Sequence, residues 1–182
     1  MSVLSELNSK NYFEVKSNLS WDEYFMFQAI MASYKSKDPN TKVGCVFVDQ
    51  NNHQLSMGYN GFVAGIDESR LPWGNDRNVD YEHQKYGYVV HSEANAVLHA
   101  KTALESSKIY VTLFPCEECA KMLATKKVTE VIYLSDKYDQ TSGNLVAKKI
   151  LSMAKIKFRQ FIPKVIVAEK FKAHLDDLLE KL

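Results

Sequence analysis

The stretch HSEANAVLHAKTALESSKIYVTLFPCEECAK (91–121) decides how this chain reads. His91 and Glu93 stand two apart at the start of a helical segment, expected over 91–105. A strand-like run, KIYVTLF (108–114), follows, and Pro115 then leads into a C-x-x-C formed by Cys116 and Cys119, at the head of a second helix expected over 116–127. Proline is tolerated at a helix start, and residues three apart on a helix share a face, so both sulfurs can reach one ion. A helix N-terminus also favours thiolate over thiol. If the two helices pack side by side, His91, Cys116 and Cys119 converge as three zinc donors, the number a catalytic site uses while keeping its fourth position for water. Glu93 is then placed to move that water's protons rather than to bind the ion. C-x-x-C alone carries less weight, because it also occurs in redox motifs and structural zinc knuckles. A structural site would want a fourth protein ligand, for which Cys45 is the one remaining cysteine.

Outward from this stretch, the pattern alternates. SWDEYFMFQAIMASYKSK (20–37) has helical spacing at Trp21, Tyr24, Phe25, Ile30, Met31 and Tyr34, with Ser20 and Glu23 forming a capping-box pattern. DPNT (38–41) breaks it. KVGCVFVD (42–49) and QLSMGYN (54–60) read as the strands of a hairpin around QNNH. The irregular stretch 60–90 is long enough to be functional. After the C-x-x-C helix come a strand EVIYLS (130–135), a helix NLVAKKILSMAKI (144–156), a short strand KFRQFI (157–162) and the amphipathic tail VAEKFKAHLDDLLEKL (167–182), with Phe171, Leu175, Leu178, Leu179 and Leu182 on one stripe. Helix–strand alternation after a hairpin implies an α/β fold, with a mixed sheet of about five strands between helical layers. The expected organisation is a leader (1–19), a catalytic domain (20–165) and a C-terminal helix (166–182). On helix 91–105, Val97, Leu98 and Leu104 are expected in the core, whereas His53, His83, His99 and His174 lack metal-ligand spacing.

With 182 residues the chain can bury a substantial core, and 46% hydrophobic against 25% charged residues argues against disorder. A net charge of +1 argues against a nucleic-acid backbone as partner. An odd count of three cysteines does not make a disulfide framework. The sequence has no apolar run of about 18 residues, and MSVLSELNSKNYFEVKSN has no signal core, so a cytoplasmic, non-membrane protein is expected.

H-x-E…P-C-x-x-C is the pattern of the zinc nucleobase deaminases. The ordered segments WDEYFM, SKDPNTKVG, GYNGF, LPW, HSEANA, YVTLFPCEECAK, EVIYLSDKY and FRQFIPK resemble the cytidine and deoxycytidylate deaminase superfamily, and within it the enzymes acting on dCMP, over roughly residues 20–163. The resemblance implies the cytidine-deaminase-like three-layer α/β/α fold and hydrolysis of dCMP to dUMP and ammonia, for thymidylate synthesis. It also implies one Zn2+ on His91, Cys116 and Cys119, with Glu93 as proton shuttle. Less directly, it suggests nucleotide contacts from Lys37, Asn40, Thr41, Asn60, Asn95 and Tyr138. It further implies a homohexamer, with dCTP activating and dTTP inhibiting at a site that includes Gly58, Asn60, Gly61 and Gly65, where Mg2+ would accompany a triphosphate. The chain departs from the family's usual pattern at Val63 (where proline is expected), at GNDRN after LPW, at Ser92 of HSE and at Cys45. Alternatives that remain open are a related deaminase acting on dCTP, cytidine, a riboflavin-pathway pyrimidine or a nucleic-acid base, and a zinc-binding scaffold without activity.

Overall fold

A computed structural model describes residues 19–162, together with Lys172, Asp176, Leu179 and Glu180. Those four are exposed helical positions within the expected tail helix. The rest of its stripe (Phe171, Leu175, Leu178 and Leu182), His174 and residues 1–18 lie outside the described residues.

The elements are α1 (Trp21–Ser33), β1 (Gly44–Val48), β2 (Gln54–Tyr59), β3 (Gly61–Phe62), β4 (Val89–Val90), α2 (Ser92–His99), β5 (Lys108–Leu113), α3 (Glu117–Thr125), β6 (Glu130–Ser135), α4 (Ser142–Met153) and β7 (Lys157–Gln160). Five strands form a mixed sheet in the order β2-β1-β5-β6-β7, and β3 pairs with β4 as a separate ribbon inside the long 60–90 stretch. The hairpin pairs are antiparallel, as is β1 with β5, while β5, β6 and β7 run parallel with α3 and α4 as crossovers. Among the described residues no helix is long and apolar enough to cross a membrane.

The period-two alternation of the central strands builds two cores. Cys45 and Phe47 of β1, Ile109 and Val111 of β5 and Val131 of β6 face Ala96, Leu123, Ala147 and Leu151 of α2, α3 and α4. Val46, Val48, Tyr110 and Ile132 point the other way, onto Phe25, Met26 and Ala29 of α1. Ser20 and Glu23 make the expected capping box at the start of α1. The buried face of α1 is only partly the set of apolar residues at helical spacing: Phe25, Met26, Ala29, Ala32 and Ser33 face inward, and Trp21, Tyr24, Met31 and Tyr34 are exposed. Small residues occupy the second half of this face, at Ala29, Ala32 and Ser33, because there α1 lies almost on the backbone of β1. A Cβ on Gly44 would run into the Ala29 carbonyl and the Ser33 amide.

Four helices stop earlier than periodicity suggests, at Ser33, His99, Thr125 and Met153. After α3 and α4 the stops are Schellman turns made with lysine rather than glycine. Lys127 and Lys155 have φ of 56° and 60°. The amides of Val128 and Ile156 bond back to the carbonyls of Leu123 and Leu151, and these apolar partners all join the core. Leu104 is in the core as expected, but beyond the end of α2, and Leu98 is 74% exposed rather than buried.

The packing of α2 on β2 positions the site described next, and it rests on Gly58. A Cβ there would press into the Ser92 carbonyl and lie 2.6 Å from the Ala96 amide nitrogen. Gly58→Ala is therefore expected to lower folding stability by about 1–3 kcal/mol, as overpacking does. Denaturant unfolding measures this, and an unchanged midpoint would refute the contact.

Candidate active site

The strand pairings gather several loops at one end of the sheet. Gly44, where β1 begins, is paired with Tyr59, where β2 ends, and Leu113 at the end of β5 is paired with Ser135 at the end of β6. Segments 37–43, 60–90, 114–116 and 136–141 thus emerge together, beyond the carboxyl ends of the parallel strands, where open α/β sheets bind ligands.

Two helices begin here. His91 is the N-cap of α2 and Cys116 the N-cap of α3, both with extended backbone, and neither side chain caps its own helix. Their donor atoms face each other instead. His91 Nδ1 lies 3.4 Å from Cys116 Sγ and 3.5 Å from Cys119 Sγ, and the three ligand atoms fall within 4.8 Å of one another. Zinc–sulfur and zinc–nitrogen bonds meeting at a tetrahedral angle would set such an S···N separation near about 3.6 Å. The donor set therefore fits zinc in both chemistry and spacing. The two sulfurs share one proton between them, so the Cys119 thiol is pushed well above the usual range by its hydrogen bond to Cys116 and by burial. The Cys116 thiol is pulled down to about 4, chiefly by the hydrogen bond from Cys119 and then by His91. The His91 imidazole is raised to about 9, chiefly by Cys116, with Glu93 adding to it. These donors attract positive charge, whether a proton or a metal ion that displaces it.

Glu93 sits in the first turn of α2, only 4% exposed. Burial pushes its carboxyl above the ordinary range, with the neighbouring His91 charge opposing. One carboxylate oxygen accepts a 2.8 Å hydrogen bond from Ser92 Oγ. Cys45 is not in the donor group. It is wholly buried on β1, and burial, with Glu93 nearby, raises its thiol well above the usual range. This corrects the idea of Cys45 as a fourth ligand: it stays a core thiol behind the site.

The structure spreads the nucleotide-contact candidates around the same end of the sheet. Lys37 Nζ pairs with Glu68 at 2.7 Å on the surface. Asn40 Nδ2 reaches the Trp73 carbonyl at 3.4 Å, and Thr41 Oγ1 accepts from Lys137 Nζ at 3.0 Å. Tyr138 is half-exposed, with the Lys137 ammonium 4.9 Å from its ring centre. Asn95 Nδ2 donates to the Tyr59 carbonyl, tying α2 to β2. Asn60 is buried and engaged within the protein: its Oδ1 accepts from the Val43 amide, and its Nδ2 donates to the Thr41 carbonyl and to Asp38. Among the glycines, Gly58 is explained by the approach of α2, Gly61 lies in β3, and Gly65 turns the chain at φ 87°.

Three neighbours escaped the sequence reading. Lys137 brings a cation to Thr41 and Tyr138, and the motif SDKY around it was read only for its tyrosine. Asp38 and Lys85 form a buried ion pair at 2.6 Å. Burial alone would raise the Asp38 carboxyl, but the Lys85 ammonium and the Asn40 and Thr41 amides outweigh it and hold it below the usual carboxylate range. Nothing in the sequence links two residues so far apart, and a lysine in a loop reads as solvated.

Residues 19–135 match the family described as the cytidine and deoxycytidylate deaminase zinc-binding region. The chain is 40% identical over 147 residues to deoxycytidylate deaminase of Homo sapiens, covering 80% of this chain and 82% of that protein. It is 37% identical over 167 residues to a probable deoxycytidylate deaminase of Drosophila melanogaster, covering 88% and 82%. Its fold matches that of the dCMP deaminase of cyanophage S-TIM5 in complex with dCMP and dUMP, with a TM-score of 0.63 at 21% identity, over 80% of this chain and all of the other. By its sequence match, this chain belongs to the zinc-binding cytidine and deoxycytidylate deaminase family.

Proposed function

We propose that this site hydrolyses dCMP to dUMP and ammonia, with His91, Cys116 and Cys119 holding the zinc ion and Glu93 carrying the protons. The observation that carries the reading is the buried carboxylate of Glu93 two residues from His91, beside three donors spaced for one zinc ion. A purely structural zinc site has no use for it. The substrate follows from the relatives named above, which are deoxycytidylate deaminases.

The zinc ion supplies Lewis acidity that makes water a nucleophile near neutral pH. Glu93 takes a proton from the attacking water and delivers it to N3 of the cytosine, which makes C4 more electrophilic. It then passes the second proton to the departing amino nitrogen, so that dCMP and water become dUMP and ammonia. A carboxyl raised by burial holds a proton more readily than a free one, which suits this alternation. The sugar phosphate serves as a handle, with Lys37, Asn40, Thr41, Lys137 and Tyr138 offering cations and hydrogen-bond donors at the mouth. The enzyme acts as a homo-oligomer, a hexamer by family resemblance, and the exposed Trp21, Tyr24, Met31 and Tyr34 of α1 with Met57 of β2 supply an apolar face for association.

Glu93→Gln is expected to keep stoichiometric zinc and lose deaminase activity by at least about a hundredfold, while Cys116→Ser and Cys119→Ser lose the metal and Cys45→Ala keeps it. Elemental analysis with ultraviolet assays decides, and turnover by Glu93→Gln would remove Glu93 from the mechanism. In a parallel panel of dCMP, dCTP, deoxycytidine and an oligonucleotide, dCMP should have the highest kcat/KM. Equal use of deoxycytidine would refute the phosphate handle. Met31→Glu should shift the mass in light scattering toward the monomer, and an unchanged mass would clear the α1 face of that role.

A further inference from the structure

We propose that Lys85 is a positioning residue for recognition of the substrate's phosphate, acting through Asp38 on the turn that carries Asn40 and Thr41. The inference rests on the phosphate-handle reading given above and adds a buried device that sets it.

The Asp38 carboxylate is the hub. Oδ1 accepts the Asn40 amide at 2.8 Å and the Thr41 amide at 3.1 Å. Oδ2 accepts Lys85 Nζ at 2.6 Å and Asn60 Nδ2 at 3.2 Å. Four bonds use the full acceptor capacity of a carboxylate. The same Asn60 grips the far side of the turn through the Val43 amide and the Thr41 carbonyl. The turn 38–43 is thus folded around one buried anion, and Lys85 is the only side-chain cation bonded to it among the described residues.

Lys85 is no surface lysine. Its side chain is 8% exposed and that of Asp38 2%. Its amide donates to the Gly74 carbonyl at 2.8 Å, and the adjacent Trp73 carbonyl receives Asn40 Nδ2. Trp73 packs against Phe62 of β3 with the rings tilted by 32° and their centres 4.0 Å apart. Besides the Asn60 bonds, the 60–90 stretch is therefore fastened to the 37–41 segment at three further points: Lys37–Glu68 on the surface, Asn40–Trp73 at the rim and Lys85–Asp38 inside. Only the inside contact joins two buried charges.

Without the ammonium, Asp38 would be an unpaired buried carboxylate, a strongly unfavourable state. The carboxylate escapes by taking up a proton or by letting water in, and both loosen its hold on the Asn40 and Thr41 amides. None of the bonds made by Asp38 or Lys85 reaches His91, Glu93, Cys116 or Cys119. The loss should fall on the phosphate end of the substrate and spare the chemistry at C4. Lys85 itself is spent on Asp38, so it sets the turn rather than touching substrate.

The test uses the zinc-loaded full chain, with kcat and KM measured for dCMP and for deoxycytidine. Lys85→Met is expected to raise KM for dCMP at least about tenfold, the order expected when a buried charge loses its partner, with unchanged zinc content and kcat. Deoxycytidine turnover should stay at the wild-type level. Removing the second charge as well, in Lys85→Met/Asp38→Asn, should recover part of the dCMP KM, because the amide oxygen keeps the Asn40 and Thr41 bonds and no orphaned anion remains, while the bond from Asn60 Nδ2 is lost. Should Lys85→Met fail to fold, Lys85→Gln, which keeps a donor for Asp38 without the charge, gives the same readout with a smaller rise. Parallel losses on both substrates, or an unchanged KM for dCMP, would overturn the proposal. Wild-type enzyme that does not distinguish the two substrates would instead refute the phosphate handle itself, a separate outcome.

Discussion

The whole site depends on two helices starting side by side at one end of the sheet. A helix N-terminus leaves amides unpaired and carries partial positive charge, which usually calls for a side-chain cap. Here the N-cap residues of α2 and α3 are His91 and Cys116, and their side chains turn away from that duty toward each other. The sulfurs gain from the helix end as anions, and the imidazole is drawn toward them. Such convergence needs α2 pressed onto β2 and α3 springing directly from β5. Glycine at position 58 permits the first, and the short link through Pro115 imposes the second.

Two carboxylates buried within this end of the molecule meet opposite fates. Glu93 has a hydroxyl from Ser92 and, among the described residues, no cationic side chain hydrogen-bonded to it, so burial lifts its proton affinity. Asp38 has a lysine and three N–H donors, so it stays an anion despite similar burial. One is suited to carrying protons and the other to holding a turn in shape. The difference lies in what surrounds each carboxylate, since the residues themselves are nearly alike.

Where the sequence reading overshot, the cause is local. Periodicity carried the helices past their ends because the stops at Lys127 and Lys155 place lysine in a left-handed conformation that glycine normally advertises. The apolar spacing in α1 includes Trp21, Tyr24, Met31 and Tyr34, which the fold leaves exposed, because the close approach to β1 admits only small side chains on part of the inner face, at Ala29, Ala32 and Ser33. Leu98 was misplaced for a related reason: α2 is only eight residues long, and Ala96 fills its contact with the sheet.

The sequence by itself determined the alternation of strands and helices, the hairpin, the capping box and the zinc-type donor set. Each is written in spacing along the chain: period two for strands, three to four for helices, and fixed short offsets for ligands. Only the tertiary structure decided that Cys45 stands outside the donor group, that Asn60 is spent on the 38–43 turn, and that Lys85 meets Asp38. Those facts depend on which loops the sheet brings to one end and on how deeply each charge is buried, and no local pattern encodes a contact between residues so far apart in the chain.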